Sequence, residues 1–503
     1  MIFSGKNYPM KKRDGCGLII PSNRPVWLWA ATAGVIVLAA QWWLVARAGT
    51  DIPFRDQWDV EGLWLYPAWR DGTLRLSALF QAHNEHRLVW TYLLDLSLFA
   101  LNGQWDPLLQ MAAGAGLHAL AVGFLVRELV RGSTNWKVQG GLAAGVALAG
   151  LPLAAWFNAL CGIQSNTYFA LIFSFVAFAW LGAEERSRVK LIGGMSAGLA
   201  AMFSLGAGEL VPVALLGLAV LHATERRRLA GAWRSIWPAL VLLAVAVVLI
   251  KSVPANKVLE SWHAGSLKEF TVGFMRAAAW PHTDQPLAAL ALNLPLALVV
   301  MGRMARRRQP RTGEDFVLLL GGWAVANALA MAWARGGAPE FQAGIVPSRY
   351  VDFLVLLPLA NAWCAIVLAA EALGPWRLRA RVLAAVWWAF LFLGWLGVSL
   401  EAWRGIVQPR MEDRLAPVRV MVAFQASGDG RVFIGQPQLN VPHFNMPLML
   451  AVLHDPRLQG ALPPSLQPKL PMGPLSREVR MLMGQEMHRR ANHSGADPKM
   501  TGF

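Results

Sequence analysis

The stretch HNEHRLVWTYLLDLSLFAL (83–101) sets five polar residues, four of them ionisable, against fourteen residues that are nearly all apolar. Its reading decides how the whole chain threads. If 88–101 crosses a membrane, the basic segment RELVRGSTNWK (127–137) falls outside the cell, against the tendency of Lys and Arg to stay on the cytoplasmic side. If it lies on the outer surface, every strongly basic loop falls inside. The residues favour the second reading. Asn84 is a helix-capping type and Glu85 suits a positive first turn, while Arg87, Thr91 and Asp95 make one polar stripe at i, i+4 and i+8. A helix with a narrow polar stripe and a broad apolar face belongs in the interface plane.

The rest of the chain agrees with a membrane setting. Of 503 residues 55% are hydrophobic and 15% charged, too little charge to cover a soluble surface of that size. Apolar runs near 26–47, 107–127, 139–157, 165–183, 190–206, 208–222, 236–253, 286–302, 316–334, 350–370 and 382–402 have roughly the length of a bilayer crossing. The expected fold class is an all-α polytopic membrane protein with about eleven transmembrane helices and a large first outer loop carrying surface-lying helices. Residues 1–25 then form a cytoplasmic amino-terminal segment and 26–402 the membrane domain. The first outer loop is 48–106, and 403–503 make a small mixed outer region with strand-like runs such as GRVFIG (430–435). The inner segments hold about 23 Lys and Arg against about 9 in the longer outer loops, so the net charge of +16 reads as orientation, not as nucleic-acid binding. No small-residue cleavage site follows the first apolar run, which is read as a retained helix. Cys16, Cys161 and Cys364 lie in separate regions, which disfavours a disulfide framework.

Candidate chemistry collects in the first loop. DIPFRDQWDVEG (51–62) brings Asp51, Asp56, Asp59 and Glu61 together with Trp58, Trp64 and Trp69 close by. Carboxylates beside aromatic rings suit sugar binding, but they equally suit a solvated acidic loop and an aromatic belt. His83 and His86 share a helix face and would hold a divalent metal only with a third ligand recruited from Asp56 or Asp59. That makes metal binding secondary to substrate contact or plain hydrogen bonding by His83, Glu85, His86 and Arg87. In VPSRYVDF (346–353), Arg349 stands at the outer end of a span beside Tyr350, where a guanidinium can hold a phosphate or simply snorkel. Glu209, an acid at membrane depth in SLGAGEL (204–210), and Asp352 are functional candidates by their cost of insertion. Lys257, His263, His282 and Asp284 in the loop 254–285 are weaker ones. No nucleotide-phosphate loop, GxSxG or HExxH motif is present, which disfavours ATP-driven transport and hydrolase chemistry.

FRDQWD (54–59), HNEHRLVWTYLLDLSLFALNGQWDP (83–107) and SRY (348–350), placed after the first helix, before the second span and at the start of a late helix, resemble the GT-C superfamily of polytopic glycosyltransferases. The protein O-mannosyltransferases and bacterial aminoarabinose transferases belong to it. The likeness covers roughly 26–402 by pattern and rests on short motifs. It implies a sugar donor on a polyprenyl phosphate, an acceptor that is a glycan, lipid or protein, and a bacterial inner-membrane location with the amino terminus cytoplasmic and the carboxy terminus periplasmic. Where the family often has Asp-Glu, this chain has Asp56-Gln57, which leaves Asp56 or Asp59 as the catalytic acid. The expected substrate contacts are His83, Glu85, His86, Arg87, Arg349 and Tyr350. No cofactor is named by the sequence. A lipid-linked glycan transporter and an envelope-assembly scaffold remain the competing readings; a transporter should show paired repeats, and none is evident.

Overall fold

The structure, a computed structural model, describes residues 24–183, 187–226, 229–305, 308 and 310–467. The first basic cluster, Cys16 and the end of the tail lie outside the described residues, as does part of the basic segments near 186, 227 and 307. Among the described residues the fold is helical, with no strand. The main helices are α1 (Arg24–Ala48), α2 (Val89–Asn102), α3 (Pro107–Val130), α4 (Trp136–Ala149), α5 (Ser165–Leu181), α6 (Arg188–Met202), α7 (Val211–Arg226), α8 (Leu229–Lys251), α9 (Leu267–Ala278), α10 (Ala288–Met304), α11 (Glu314–Arg335), α12 (Leu356–Glu371) and α13 (Trp376–Ala402).

Among the described residues seven helical stretches are long and apolar enough to cross a membrane: Val26–Ala48, Pro107–Val130, Gly162–Leu181, Gly206–Glu225, Glu314–Arg335, Ser348–Glu371 and Trp376–Glu412. The four other runs expected to span hold helices too, but α4, α6, the apolar part of α8 (Ile236–Lys251) and α10 fall below that measure. Local sequence explains the shortening. The run 139–157 stops at Ala149, before Gly150 and Pro152, and a short helix, Trp156–Ala159, follows a turn. Starts are equally local: the Asp106 side chain accepts the N–H groups of Leu108 and Leu109 at 3.0 and 3.1 Å, with Pro107 at the first helical position.

The helices pack round a core in which Phe175, Phe178 and Phe353 surround the fully buried Trp323. The Trp323 indole donates to Ala207 O at 2.8 Å, in the break between α6 and α7. Backbone freed from helical bonding at that depth needs such a partner. At the bundle end opposite the first loop, Arg303 is 1% exposed and reaches three acids: Glu225 at 2.5 Å, Asp315 at 2.6 Å and Glu314 at 3.5 Å. His222 adds to Asp315 at 3.0 Å, and Arg308 joins Glu314 to Glu371. This cluster ties the ends of α7, α10, α11 and α12.

Three expectations about local structure fail. Asn84 caps no helix: α2 begins at Val89, and Asn84 has a φ of +52°, the left-handed position of a tight turn in which His83 and His86 exchange backbone hydrogen bonds of 2.7 and 3.0 Å. Asn tolerates that conformation better than most residues, so its polar character serves the turn. The polar stripe also points inward: Thr91 and Asp95 are fully buried, and Arg87 lies before the helix. The outward face of α2 is mostly apolar, with Leu93 and Leu101 exposed and Ser97 bonded back to Leu93 O. GRVFIG is not strand-like either. Gly430–Phe433 forms a helical turn headed by Asp429, with Phe433 packed on Phe424.

The tail is no separate layer. Its residues Met421, Phe424, Phe433, Met449 and Leu458 share one core with Trp58, Tyr66, Leu88 and Trp105 of the first loop. Arg410 donates to Ala48 O and Thr50, Ser465 donates twice to Asp51, and Trp105 N donates to Ala461 O. Loop and tail form a single cap on one end of the bundle.

Candidate functional site

The cap assigns the four loop acids to different tasks. Asp51 accepts from Ser465 N and Oγ at 2.9 and 2.6 Å. Glu61 is fully buried and accepts from Trp105 Nε1 at 2.5 Å and Gln57 Nε2 at 3.1 Å. Asp59 lies 3.0 Å from His443 Nε2. The His443 Nδ1 accepts from Asn445 N at 3.1 Å, which leaves Nε2 as the protonated nitrogen facing Asp59. Asp56 remains: its side chain is 47% exposed and its Oδ2 stands 3.8 Å from His83 Nε2. Desolvation pushes its pKa up, but His83, Arg349 and His443 together hold it below the ordinary carboxylate value. Asp56 is therefore ionised and reachable from solvent.

Gln57, where the resemblance expects Glu, does not face this acid. Its side chain is fully buried, accepts from Phe54 N at 3.0 Å and donates to Gln110 at 2.7 Å, so it fixes the loop to α3. Trp58 is likewise core: it is fully buried, packs edge-on against Trp105 and donates to Pro53 O, so its ring cannot stack on a sugar. Trp64 packs on Tyr92, and of the three tryptophans only Trp69 is well exposed.

From the 83–86 turn, Glu85 pairs with Arg335 at 2.7 Å. Desolvation raises the Glu85 pKa, but Arg335, His86 and His263 outweigh it and keep the carboxylate below its usual range. Arg335 also reaches the Tyr350 hydroxyl, and Arg349 lies 4.9 Å from the Tyr350 ring centre with Nη2 at 3.4 Å from the same hydroxyl. Asn158 Nδ2 donates to Arg349 O at 3.1 Å and to Asp352 at 2.8 Å, which pins SRY to the turn before α5. Asp56, His83, Glu85, Arg335, Tyr350 and Arg349 thus form one connected polar surface under the cap. His86 lies behind it: a Cβ at Gly206 would stand 2.7 Å from its Nδ1. Burial, with Arg335 and His83, lowers the His86 pKa to about 4 against the pull of Glu85 and Asp56, so the ring is neutral at pH 7.

Arg87 is engaged elsewhere. Its guanidinium donates to Leu249 O at 3.1 Å and Ser252 Oγ at 2.7 Å, and its charge acts on Glu209. His282 stacks on Phe390 and is tied to α13, whereas His263 lies beside Trp333 and within electrostatic reach of Glu85. Among the described residues no three His, Cys, Asp or Glu side chains are placed to hold a metal. Arg335 and His443 carry no motif, and their acidic partners Glu85 and Asp59 are hundreds of residues away, so nothing local in the sequence marks them.

Below the site, Glu61 and Asp95 face each other in full burial. Desolvation, opposed by hydrogen bonds from Gln57, Gln110 and Trp105, raises the Glu61 pKa to about 7, and burial beside Glu61 raises that of Asp95 as well. The folded protein then holds a proton that the unfolded chain releases between pH 4.5 and 7, so stability falls as pH rises through that window. The shift corresponds to about 3 kcal/mol. Glu61→Gln should flatten this dependence in melting curves of the purified protein between pH 5 and 8. An unchanged pH slope in the variant would show that Glu61 is not the group responsible.

Comparison of the chain with protein-family profiles, curated proteins and solved structures returns no match.

Proposed function

We propose that this protein transfers a sugar from a polyprenyl-phosphate donor to an acceptor at the outer face of a bacterial inner membrane. One observation carries the reading. Of the four clustered loop acids, three are committed to structural partners, and Asp56, with the most exposed side chain of the four, is held ionised and set between His83 and the charge of Arg349. In this reaction Asp56 takes the proton of the acceptor hydroxyl as that oxygen attacks the sugar's anomeric carbon. The bond to the donor phosphate breaks, and the phosphate leaves with the electron pair. Arg349 faces the charge that grows on the leaving group, where fixed donors lower a barrier most. His83 orients Asp56, and Glu85 holds Arg335 against Tyr350 so that Arg349 keeps its place.

The reading includes eleven spans, α4, α6, the apolar part of α8 and α10 among them, with the cap outside and the arginine cluster inside. Mass spectrometry of lipid-linked sugars and envelope glycans, with and without the protein, tests the reaction. A glycan that disappears and a donor that accumulates are expected. No change in either would move the transporter and scaffold readings ahead.

Orientation has its own test. Cys161 and Cys364 are buried, so with Cys16→Ser in place single cysteines can be read cleanly. An impermeant thiol reagent added to intact cells should modify Arg75→Cys and spare Thr134→Cys, both positions being exposed. The opposite pattern would invert the map.

A further inference from the structure

Arg55 is the least conventional residue of the cap. Its backbone is left-handed, with a φ of +55°, and its N–H donates to Pro442 O at 2.7 Å. The side chain is only 9% exposed, yet Nη1 and Nη2 have no hydrogen-bond partner among the described residues. Two ring faces hold it: the guanidinium carbon lies 3.9 Å from the Phe444 ring centre and 4.9 Å from that of Phe54. The adjacent carboxylate of Asp56 is within electrostatic reach but is turned to His83.

Aromatic faces attract a cation but accept none of its N–H bonds. A buried guanidinium left in that state is costly, and packing alone would be served as well by Leu or Met. What the two rings do provide is orientation, because they clamp the plane of the fork and leave its terminal N–H groups unspent. Such a fork matches two oxygens of a phosphate or carboxylate. Burial lowers the Arg55 pKa to about 10, which still leaves the group charged at neutral pH.

We propose that Arg55, clamped by Phe54 and Phe444, is the seat of an oxyanion carried by the protein's ligand, a phosphate or a carboxylate. The seat is a binding property and stands whether or not Asp56 performs sugar transfer. It also assigns the tail a part in binding, since Pro442 and Phe444 set the position of a loop residue about 390 positions earlier.

The test uses the full-length protein in nanodiscs and reads binding by native mass spectrometry. Wild type should hold polyprenyl phosphate about ten- to a hundredfold more tightly than the polyprenol of equal length, the range expected for hydrogen bonds to a charged group. Arg55→Gln should lose that preference while its affinity for the polyprenol is unchanged. Inorganic phosphate and glucuronate are added as competitors: displacement by either places the oxyanion on a soluble ligand, and resistance to both places it on the lipid headgroup. If Arg55→Gln does not fold, Arg55→Lys carries the test, because it keeps the charge and loses the fork, and a drop of about tenfold is expected. Equal affinity of wild type for phosphate and alcohol, or a variant that keeps the wild-type preference, overturns the proposal.

Discussion

On the proposed reading, Asp56→Asn is expected to lower sugar transfer by about 10²- to 10⁴-fold, while the protein should still insert and melt as wild type does. Asn has the size of Asp and keeps an acceptor oxygen, but it cannot take a proton from an acceptor hydroxyl. Folding should be indifferent, since the side chain is half-exposed and makes no hydrogen bond that the cap depends on. Asp59→Asn is the necessary companion. Its partner His443 donates through Nε2, and an amide oxygen accepts that bond nearly as well, so transfer should fall far less. His83→Gln should lie between the two and shift the pH profile of transfer toward higher pH, because His83 helps to keep the Asp56 pKa down. The assay follows donor consumption in membranes carrying each variant. Transfer at the wild-type rate in both Asn variants would remove the carboxylate mechanism.

The second large effect is on stability. Arg303→Leu leaves Glu225, Glu314 and Asp315 converging on an apolar side chain, with Glu314 fully buried. Breaking a buried ion cluster by removing one partner typically costs about 3–5 kcal/mol, because the remaining charges stay desolvated. A pronounced fall in the melting midpoint in detergent is expected. Replacing the exposed Arg419, which pairs with Asp413, should leave the midpoint where it is. A fourfold variant in which Arg303, Glu225, Glu314 and Asp315 all become apolar should recover much of the loss. If Arg303→Leu melts like wild type, the cluster does not hold the four helices together.

Hydropathy located the helices well because a run of apolar residues is a local property. Every run expected to span contains a helix, although four are too short or too polar to qualify alone. The acidic loop and the HNEHR turn were legible as places where ionisable groups gather. The division of labour among them was not. That Asp59 is occupied and Asp56 is not depends on His443, about 380 residues later, and that Trp58 is core depends on Trp105 and the tail. The inward turn of Thr91 and Asp95 illustrates the same limit. A polar stripe on a helix reports that one face differs from the other, and an outward or an inward face gives the same pattern, since lipid is as apolar as a protein core. Arg335 escaped notice because it ends an apolar run, where a basic residue has an ordinary explanation.

The first loop and the tail share one core, and this sets an order of events during synthesis. The loop, with Asp56, is made about 300 residues before the segment 410–466 that completes it. It cannot reach its final form until 410–466 arrives, because Arg410 secures Ala48 and Thr50, Pro442 holds the Arg55 backbone and His443 takes Asp59. A chain interrupted after α13 would already sit in the membrane with its helices in place and its acids unsorted. The surroundings of Asp56 are therefore complete only once 410–466 has folded against the first loop.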